Sequence, residues 1–395
     1  MASSIRTRER EQRPLLSYPP FSVIYQLLSL GLILVRIPPW ILSFALDPSR
    51  KPHPQWTLEQ ALAGHLVKSL LRMLSKVEQP QKLTLKPKKE KGRFDVIEPF
   101  PPTFYKGPLE AETVAPATIG GTWFPQRPQC LHKADEDTSV VLHFHGGAFI
   151  VGDGRSSGMD FLTSTWIEYA GVSTIFCPQY RLSCRPDPAP FPASLQDALS
   201  SYLYLTQTLD IPPSSITVSG DSAGGNLAIA LLRYLAEFGE ELDIPLPKNA
   251  VLISPWVSPL NSLKPDSQIK NNPHFRSDSL PTLFTRWGAK AYTRLVPATH
   301  PYISPLGHPF ATRVPIFVNY GSAEVLEVDG SQWIKEMSQV AGNVIQANYE
   351  PAAPHDTLLV GNMCGWKKSA QGVAVHVGEF IREYHTDPDK GEFED

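Results

Sequence analysis

The stretch Gly220-Asp221-Ser222-Ala223-Gly224-Gly225 decides how this chain folds, because it sets a G-x-S-x-G pattern between two runs of different periodicity. Before it, Ser215-Ile216-Thr217-Val218-Ser219 is short and rich in β-branched residues, as a buried strand is. After it, Asn226-Leu227-Ala228-Ile229-Ala230-Leu231-Leu232 predicts a helix. The expectation is strand, sharp turn, helix, with Ser222 exposed at the turn. A serine hydroxyl is a poor nucleophile and needs a base beside it and N–H groups aimed at the developing oxyanion. Small residues at 220, 223 and 224 let strand and helix approach closely, and the helix N-terminus adds partial positive charge. Read alone, the same residues also suit a tightly packed turn or the phosphate-binding turn of a dinucleotide fold.

A second feature lies about 75 residues upstream, where the apolar run Ser139-Val140-Val141-Leu142-His143-Phe144 leads directly into His145-Gly146-Gly147-Ala148-Phe149. Glycines there permit backbone geometry that turns N–H groups into a site. Gly146 and Gly147, together with the N–H of Ala223, are the expected oxyanion donors. His145 is expected to shape this loop rather than to move protons.

A serine at such an elbow is followed in chain order by an acid and then a histidine. The strand-like Val314-Pro315-Ile316-Phe317-Val318-Asn319-Tyr320 ends at Gly321-Ser322-Ala323-Glu324, which makes Glu324 the expected acid, ahead of Glu327, Asp329 and Asp356. The next strand-like run, 343–350, is followed by a proline-containing loop that carries His355. Of the later histidines, His274, His300, His308, His376 and His385 do not follow a late strand so directly, and His355 is the expected base.

With loop, elbow, acid and base quoted, the chain resembles the hormone-sensitive-lipase-like branch of the α/β-hydrolases, over roughly residues 96–385. Further pieces carry the resemblance: Tyr180-Arg181-Leu182, Phe191-Pro192-Ala193-Ser194-Leu195-Gln196-Asp197-Ala198, Ser254-Pro255-Trp256 and Pro301-Tyr302-Ile303-Ser304-Pro305-Leu306. The family's third loop glycine is Ala148 here, its usual aspartate is Glu324, and after Leu182 its Ala-Pro-Glu is replaced by Ser183-Cys184-Arg185-Pro186-Asp187-Pro188, which puts that edge of the pocket in doubt. The resemblance implies an α/β-hydrolase fold with an N-terminal helical cap and a serine carboxylic ester hydrolase. Its expected substrate is a hydrophobic small-molecule ester with a short or medium acyl group, acetyl included, cleaved through an acyl-enzyme intermediate without cofactor or metal. Acyl transfer, lactone or amide cleavage, and a non-catalytic small-molecule receptor or scaffold on the same fold are the other readings.

Alternating strand-like runs at 140–144, 173–179, 216–219, 250–254, 315–319 and 344–349 predict a mostly parallel sheet with helices on both faces. The proline-rich, aromatic segment 257–300, with Phe275, Phe284, Trp287 and Tyr292, is expected beside the substrate. A chain of 395 residues that is 42% hydrophobic buries a core without disulfides. A net charge of −3 offers nothing to nucleic acid. The four cysteines, Cys130, Cys177, Cys184 and Cys364, lack metal spacing and are expected as free thiols.

The organisation predicted from these patterns is a basic tail (1–20), an apolar segment (21–46), an amphipathic cap helix with a basic connector (47–95), the catalytic domain (96–385) and an acidic disordered tail (386–395). Segment 21–46 is long enough to span a bilayer only if Arg36, Pro38 and Pro39 are accommodated, since about 20 apolar residues are needed. Arg6, Arg8, Arg10 and Arg13 precede it, and Arg50 and Lys51 follow. The expectation is membrane association through 21–46, as a single span or a monotopic anchor, with the endoplasmic reticulum as a candidate location. Buried or gating helices in a soluble cytoplasmic protein, and a cleaved signal, are the alternatives. Thr57-Leu58-Glu59-Gln60 forms a capping-box pattern, and Leu58, Leu62, Leu66, Leu70, Met73 and Leu74 predict one apolar helical face.

Overall fold

The computed structural model describes residues 14–128 and 139–384; the tails predicted at either end lie wholly or largely outside them, as does Cys130. All six expected strands form, joined by two more. In chain order the strands are β1 (Phe94–Ile97), β2 (Ile119–Phe124), β3 (Val140–Phe144), β4 (Thr174–Gln179), β5 (Ile216–Asp221), β6 (Asn249–Ile253), β7 (Ile316–Gly321) and β8 (Ile345–Glu350). They make one sheet in the order β1-β2-β4-β3-β5-β6-β7-β8. β1 and β2 run antiparallel, and every pairing from β4 to β8 is parallel. The sheet thus begins at Phe94, inside the span assigned from the sequence to the connector.

Period-two alternation explains the two layers of core. Val140, Leu142 and Phe144 of β3 pack on one face with Leu227 and Leu231, whereas Val141 packs on the other with Leu162 and Phe380. The helices of eight residues or more are α1 (Phe21–Leu46), α2 (Leu58–Val77), α3 (Ser156–Thr165), α4 (Ala193–Leu203), α5 (Ala223–Phe238), α6 (Thr282–Tyr292), α7 (Glu327–Ser338), α8 (Thr357–Cys364) and α9 (Lys367–Glu383). Helices α4 to α7 cover the first face, and α3, α8 and α9 the second.

The N-terminal helices form a layer of their own over the carboxyl ends of the strands. α2 starts on the expected capping box, with Thr57 and Gln60 exchanging side-chain and backbone hydrogen bonds. Its fully buried positions are Ala61, Met73, Ser75 and Val77, while Leu58 and Leu70 of the predicted apolar face are exposed. α2 is covered on two sides, by α1 and by the catalytic domain, so a single-stripe pattern does not describe it.

α1 continues through Pro38 and Pro39 although neither supplies an N–H to the helix ladder. It lies along α2 in the opposite direction, with Gln26 Nε2 donating to Gln79 Oε1 at 2.6 Å and Trp40 and Phe44 both edge-on to His65. Only 11% of its most apolar window is buried. The connector 82–93 exposes its lysines, but its backbone is anchored: the buried Arg155 donates to the carbonyls of Thr84, Lys86 and Pro87.

Candidate active site

The elbow forms where β5 ends and α5 begins. Ser222 has φ 51 and ψ −113, a strained left-handed conformation held by two backbone bonds: its N–H donates to Ile253 O and its carbonyl accepts from Trp256 N–H, each at 2.9 Å. The turn closes this tightly because a Cβ on Gly224 would overlap the carbonyl of Phe144. α5 begins at Ala223, so its free N–H groups surround the serine.

Ser222 Oγ lies 3.0 Å from Nε2 of His355. On the far side of that ring, His355 Nδ1 is 3.4 Å from Glu324 Oε2, and Ser254 Oγ donates to the same carboxylate oxygen at 2.7 Å. Serine, histidine and glutamate predicted from three separate loops therefore meet in one line. The loops themselves touch, since Ala323 N–H donates to Ala353 O at 2.9 Å and a Cβ on Gly321 would overlap the Ala353 and Pro354 carbonyls. Of the rival acids, Glu327 pairs with His274, Asp329 accepts twice from Asn261, and Asp356 caps α8.

A second carboxylate that the sequence did not single out also faces the histidine. Asp278, from segment 257–300, is buried and accepts from Val325 N–H at 2.7 Å and Leu280 N–H at 3.0 Å, with His355 N–H at 3.4 Å. Burial alone lowers the His355 pKa, but the Glu324 carboxylate beside Nδ1, followed by the charges of Asp278 and Asp356, outweighs it and raises the pKa above the ordinary histidine value. Burial raises the carboxyl of Glu324, which is fully enclosed.

The glycine loop differs from expectation at one donor. Gly146 N–H donates to Asp221 Oδ1 at 2.9 Å, so it is engaged by the elbow itself and is removed from the oxyanion set. The N–H groups of Gly147, Ala148 and Ala223 meet no acceptor among the described residues. Gly147 at φ 105, Ala148 at φ 52 and Phe149 at φ 61 form a left-handed run that turns the loop sharply after β3. His145 supports it as expected: its Nδ1 donates to Gly146 O at 2.7 Å, and its ring stacks on Tyr180 at 4.2 Å between centroids. Burial lowers its pKa to about 4, which keeps it neutral.

The remaining motifs hold these loops together. Arg181 N–H and Nε donate to Asp197, joining the Tyr-Arg-Leu run to α4. Asn226 donates to Trp256 O and Ile303 O, each at 2.8 Å. The departure after Leu182 grips the cap: Gln81 N–H donates to Arg185 O at 2.9 Å, and Gln81 also makes two bonds to the backbone of Gly152. Segment 257–300 packs on the glycine loop, with Tyr292 stacked on Phe149 at 3.8 Å. Cys177, Cys184 and Cys364 are buried free thiols, and no group of three potential metal ligands occurs among the described residues.

Residues 141–359 match the family model described as alpha/beta hydrolase fold. The chain belongs to this family, in its hormone-sensitive-lipase-like branch. An acetyl-hydrolase of Streptomyces hygroscopicus is 31% identical to it over 225 residues, 57% of this chain and 70% of that protein. The hormone-sensitive lipase of Mus musculus is 33% identical over 111 residues, 27% of this chain and 14% of that one. A crystal structure of a hormone-sensitive lipase from a metagenome library shares the fold, at TM-score 0.55 and 22% identity, covering 82% of this chain and 98% of that one. The hydrolase is thus carboxylesterase-like, a carboxylic ester hydrolase on this fold.

Proposed function

We propose that the hydrolase cleaves hydrophobic small-molecule esters through an acyl-enzyme on Ser222. The observation that carries this reading is the 3.0 Å approach of His355 Nε2 to Ser222 Oγ at a strained elbow. His355 takes the serine proton as Oγ attacks the ester carbonyl, and Glu324 orients the imidazole and stabilises its positive charge. Gly147 and Ala223 N–H groups, with Ala148 in place of Gly146, receive the tetrahedral oxyanion. The alcohol leaves with the proton from His355. Water, deprotonated by the same base, then releases the acid.

A cavity of about 310 Å³ lies beside the acid loop, with Trp256, Leu280, Val325 and Leu326 in its lining together with polar residues such as Asn261, Lys264, Asn272 and Asp329. The likeness to a protein named acetyl-hydrolase supports a short acyl group in this reading. The test is covalent labelling by a fluorophosphonate, followed by a panel of esters varied in acyl length and alcohol size. Ser222→Ala abolishes both labelling and turnover; labelling that persists moves the nucleophile elsewhere.

The protein is also proposed to sit on a membrane through α1, lying in the plane of the interface. Polarity along this helix is inverted: Ser22, Gln26 and Ser29 are half-buried, with Gln26 bonded to Gln79 just past α2, whereas Leu27, Leu28, Leu34, Val35 and Leu42 are 60–71% exposed. A perpendicular span would carry α2, with Glu59, Lys68, Arg72 and Lys76, into hydrocarbon or strip α1 from it.

A further inference from the structure

Two buried carboxyl groups stand behind the candidate triad, and the mechanism above uses neither. Asp221 immediately precedes Ser222 and Asp356 immediately follows His355; they are 0% and 1% exposed. Asp221 Oδ1 accepts from Gly146 N–H at 2.9 Å and from His143 Nε2 at 3.1 Å. Asp356 Oδ1 accepts from Leu359 N–H at 3.1 Å and caps α8 from a left-handed conformation at φ 54. The Oδ2 atom of each meets no N–H or O–H donor among the described residues. Both unpartnered oxygens belong to carboxyl groups that are near enough to act on each other electrostatically, beside the Ser222–His355 pair.

Two facing carboxylates in a dry interior cannot both be ionised cheaply, so such a contact requires a proton between them. Once His355 is neutral, the groups facing them supply no substitute. From β3, His143 is held neutral, its pKa lowered to about 4 by burial. β4 and the residue after it contribute the neutral Cys177 and Tyr180, and β8 ends at Glu350, a further carboxyl. His355 is the remaining titratable neighbour: while protonated it offsets the two carboxylates, and it gives up that charge when it turns neutral to act as a base. Burial raises both aspartates above the ordinary carboxylate range, Asp356 furthest.

We infer that Asp356 is a positioning residue that keeps its proton at neutral pH and donates it to Asp221, clamping the His355 loop to the nucleophile elbow. This rests on the proposed roles of Ser222 and His355. One shared proton ties three segments: the glycine loop through Gly146, the elbow through Asp221 and the base through Asp356. Its loss at alkaline pH leaves two like charges in contact, the loops separate, and His355 Nε2 leaves Ser222 Oγ.

The experiment pairs Asp356→Asn with Asp356→Ser in the full chain. Asparagine tolerates the left-handed conformation, still caps α8 and donates an N–H to Asp221 without a titratable proton; serine keeps the cap but does not reach Asp221. In infrared spectra at neutral pH, the carbonyl band of a buried protonated carboxyl is present in the wild type, lost in Asp356→Asn and retained in Glu324→Gln. Asp356→Ser lowers kcat by about tenfold or more with KM nearly constant, as expected when the base is misplaced. Asp356→Asn restores kcat relative to serine and loses less activity than the wild type on going to alkaline pH. A spectrum without the Asp356-dependent band overturns the inference, as do asparagine and serine variants with the same kcat and pH profile. Fluorophosphonate labelling of Ser222 is scored separately, so failure of the triad and failure of the clamp are distinguishable.

Discussion

His355 is surrounded by acids: Glu324 at 3.4 Å from Nδ1, Asp278 at its backbone N–H and Asp356 next in the chain. A base works only when unprotonated, so a raised pKa moves the acid limb of activity upward. The limb of kcat/KM is expected above the ordinary histidine value of about 6.5, with activity lost as pH falls through it. Glu324→Gln removes the strongest of these charges. It should lower kcat by about a hundredfold or more and shift the limb towards lower pH. Asp329→Asn, whose carboxylate is bound to Asn261, should change kcat far less and leave the limb in place. Steady-state kinetics from pH 5 to about 10 decides, and the reverse ranking transfers the acid to Asp329. At the glycine loop, Gly147→Ala forces a Cβ onto the Val151 carbonyl at φ 105 and should lower kcat by about a hundredfold, read against unchanged far-ultraviolet dichroism. Ser222, Glu324 and His355 were legible because each ends a strand-like run in the required order. Gly146 misled because either glycine of the loop permits an N–H to turn into the site, and only the fold reveals that Asp221 already accepts the N–H of Gly146. Asp278 carried no signal, and Ser254 stood only within a quoted motif with no role attached, since their roles depend on where segment 257–300 and the turn after β6 fold back.

Helix α2 and the residues flanking it connect the cap to the chemistry. Lys68 Nζ donates to the carbonyls of Asp278, at 2.7 Å, and Phe275, at 3.0 Å. Trp56 Nε1 donates to Ala352 O at 2.7 Å, three residues before His355. Gln81 makes two amide bonds to Gly152 at the end of the glycine loop. Partly buried amide bonds contribute about 1 kcal/mol each, so Gln81→Ala should reduce stability by about 2 kcal/mol, measured by urea unfolding. The loop it releases also carries Gly147 and Ala148, so kcat should fall severalfold beyond any change in KM. The capping box of α2 was legible from four residues, whereas its buried face was not. A periodic stripe reports one apolar partner, and α2 has two, α1 on one side and the catalytic domain on the other. β1 and β2 carry a similar lesson: Gly120 and Gly121 interrupt the apolar pattern because the rings of Phe94 and Phe176 lie over those positions.

Taken whole, the molecule exposes its most apolar surface on the same layer that braces the candidate site. Seventeen residues of α1 are exposed, and the only ionisable one among them is Arg36. Attachment by such a face comes from burial of side chains in the acyl boundary rather than from attraction to anionic headgroups. Binding should therefore be nearly equal on neutral phosphatidylcholine vesicles and on vesicles with added anionic lipid. It should also survive salt near 1 M, where the Debye length falls to about 3 Å, and yield to detergent. Replacing Leu27, Leu28, Leu34 and Leu42 by Gln removes apolar area without touching α2. Flotation with vesicles should then be lost, while turnover of a water-soluble ester persists because Lys68, Trp56 and Gln81 still hold the site. Turnover of esters dissolved in the vesicles should fall with the lost binding, since the proposed anchor α1 packs on α2, which donates to the Asp278 segment of the site. A quadruple variant that still floats places attachment elsewhere on the surface; one that releases but retains full activity on lipid-dissolved esters separates the anchor from substrate access.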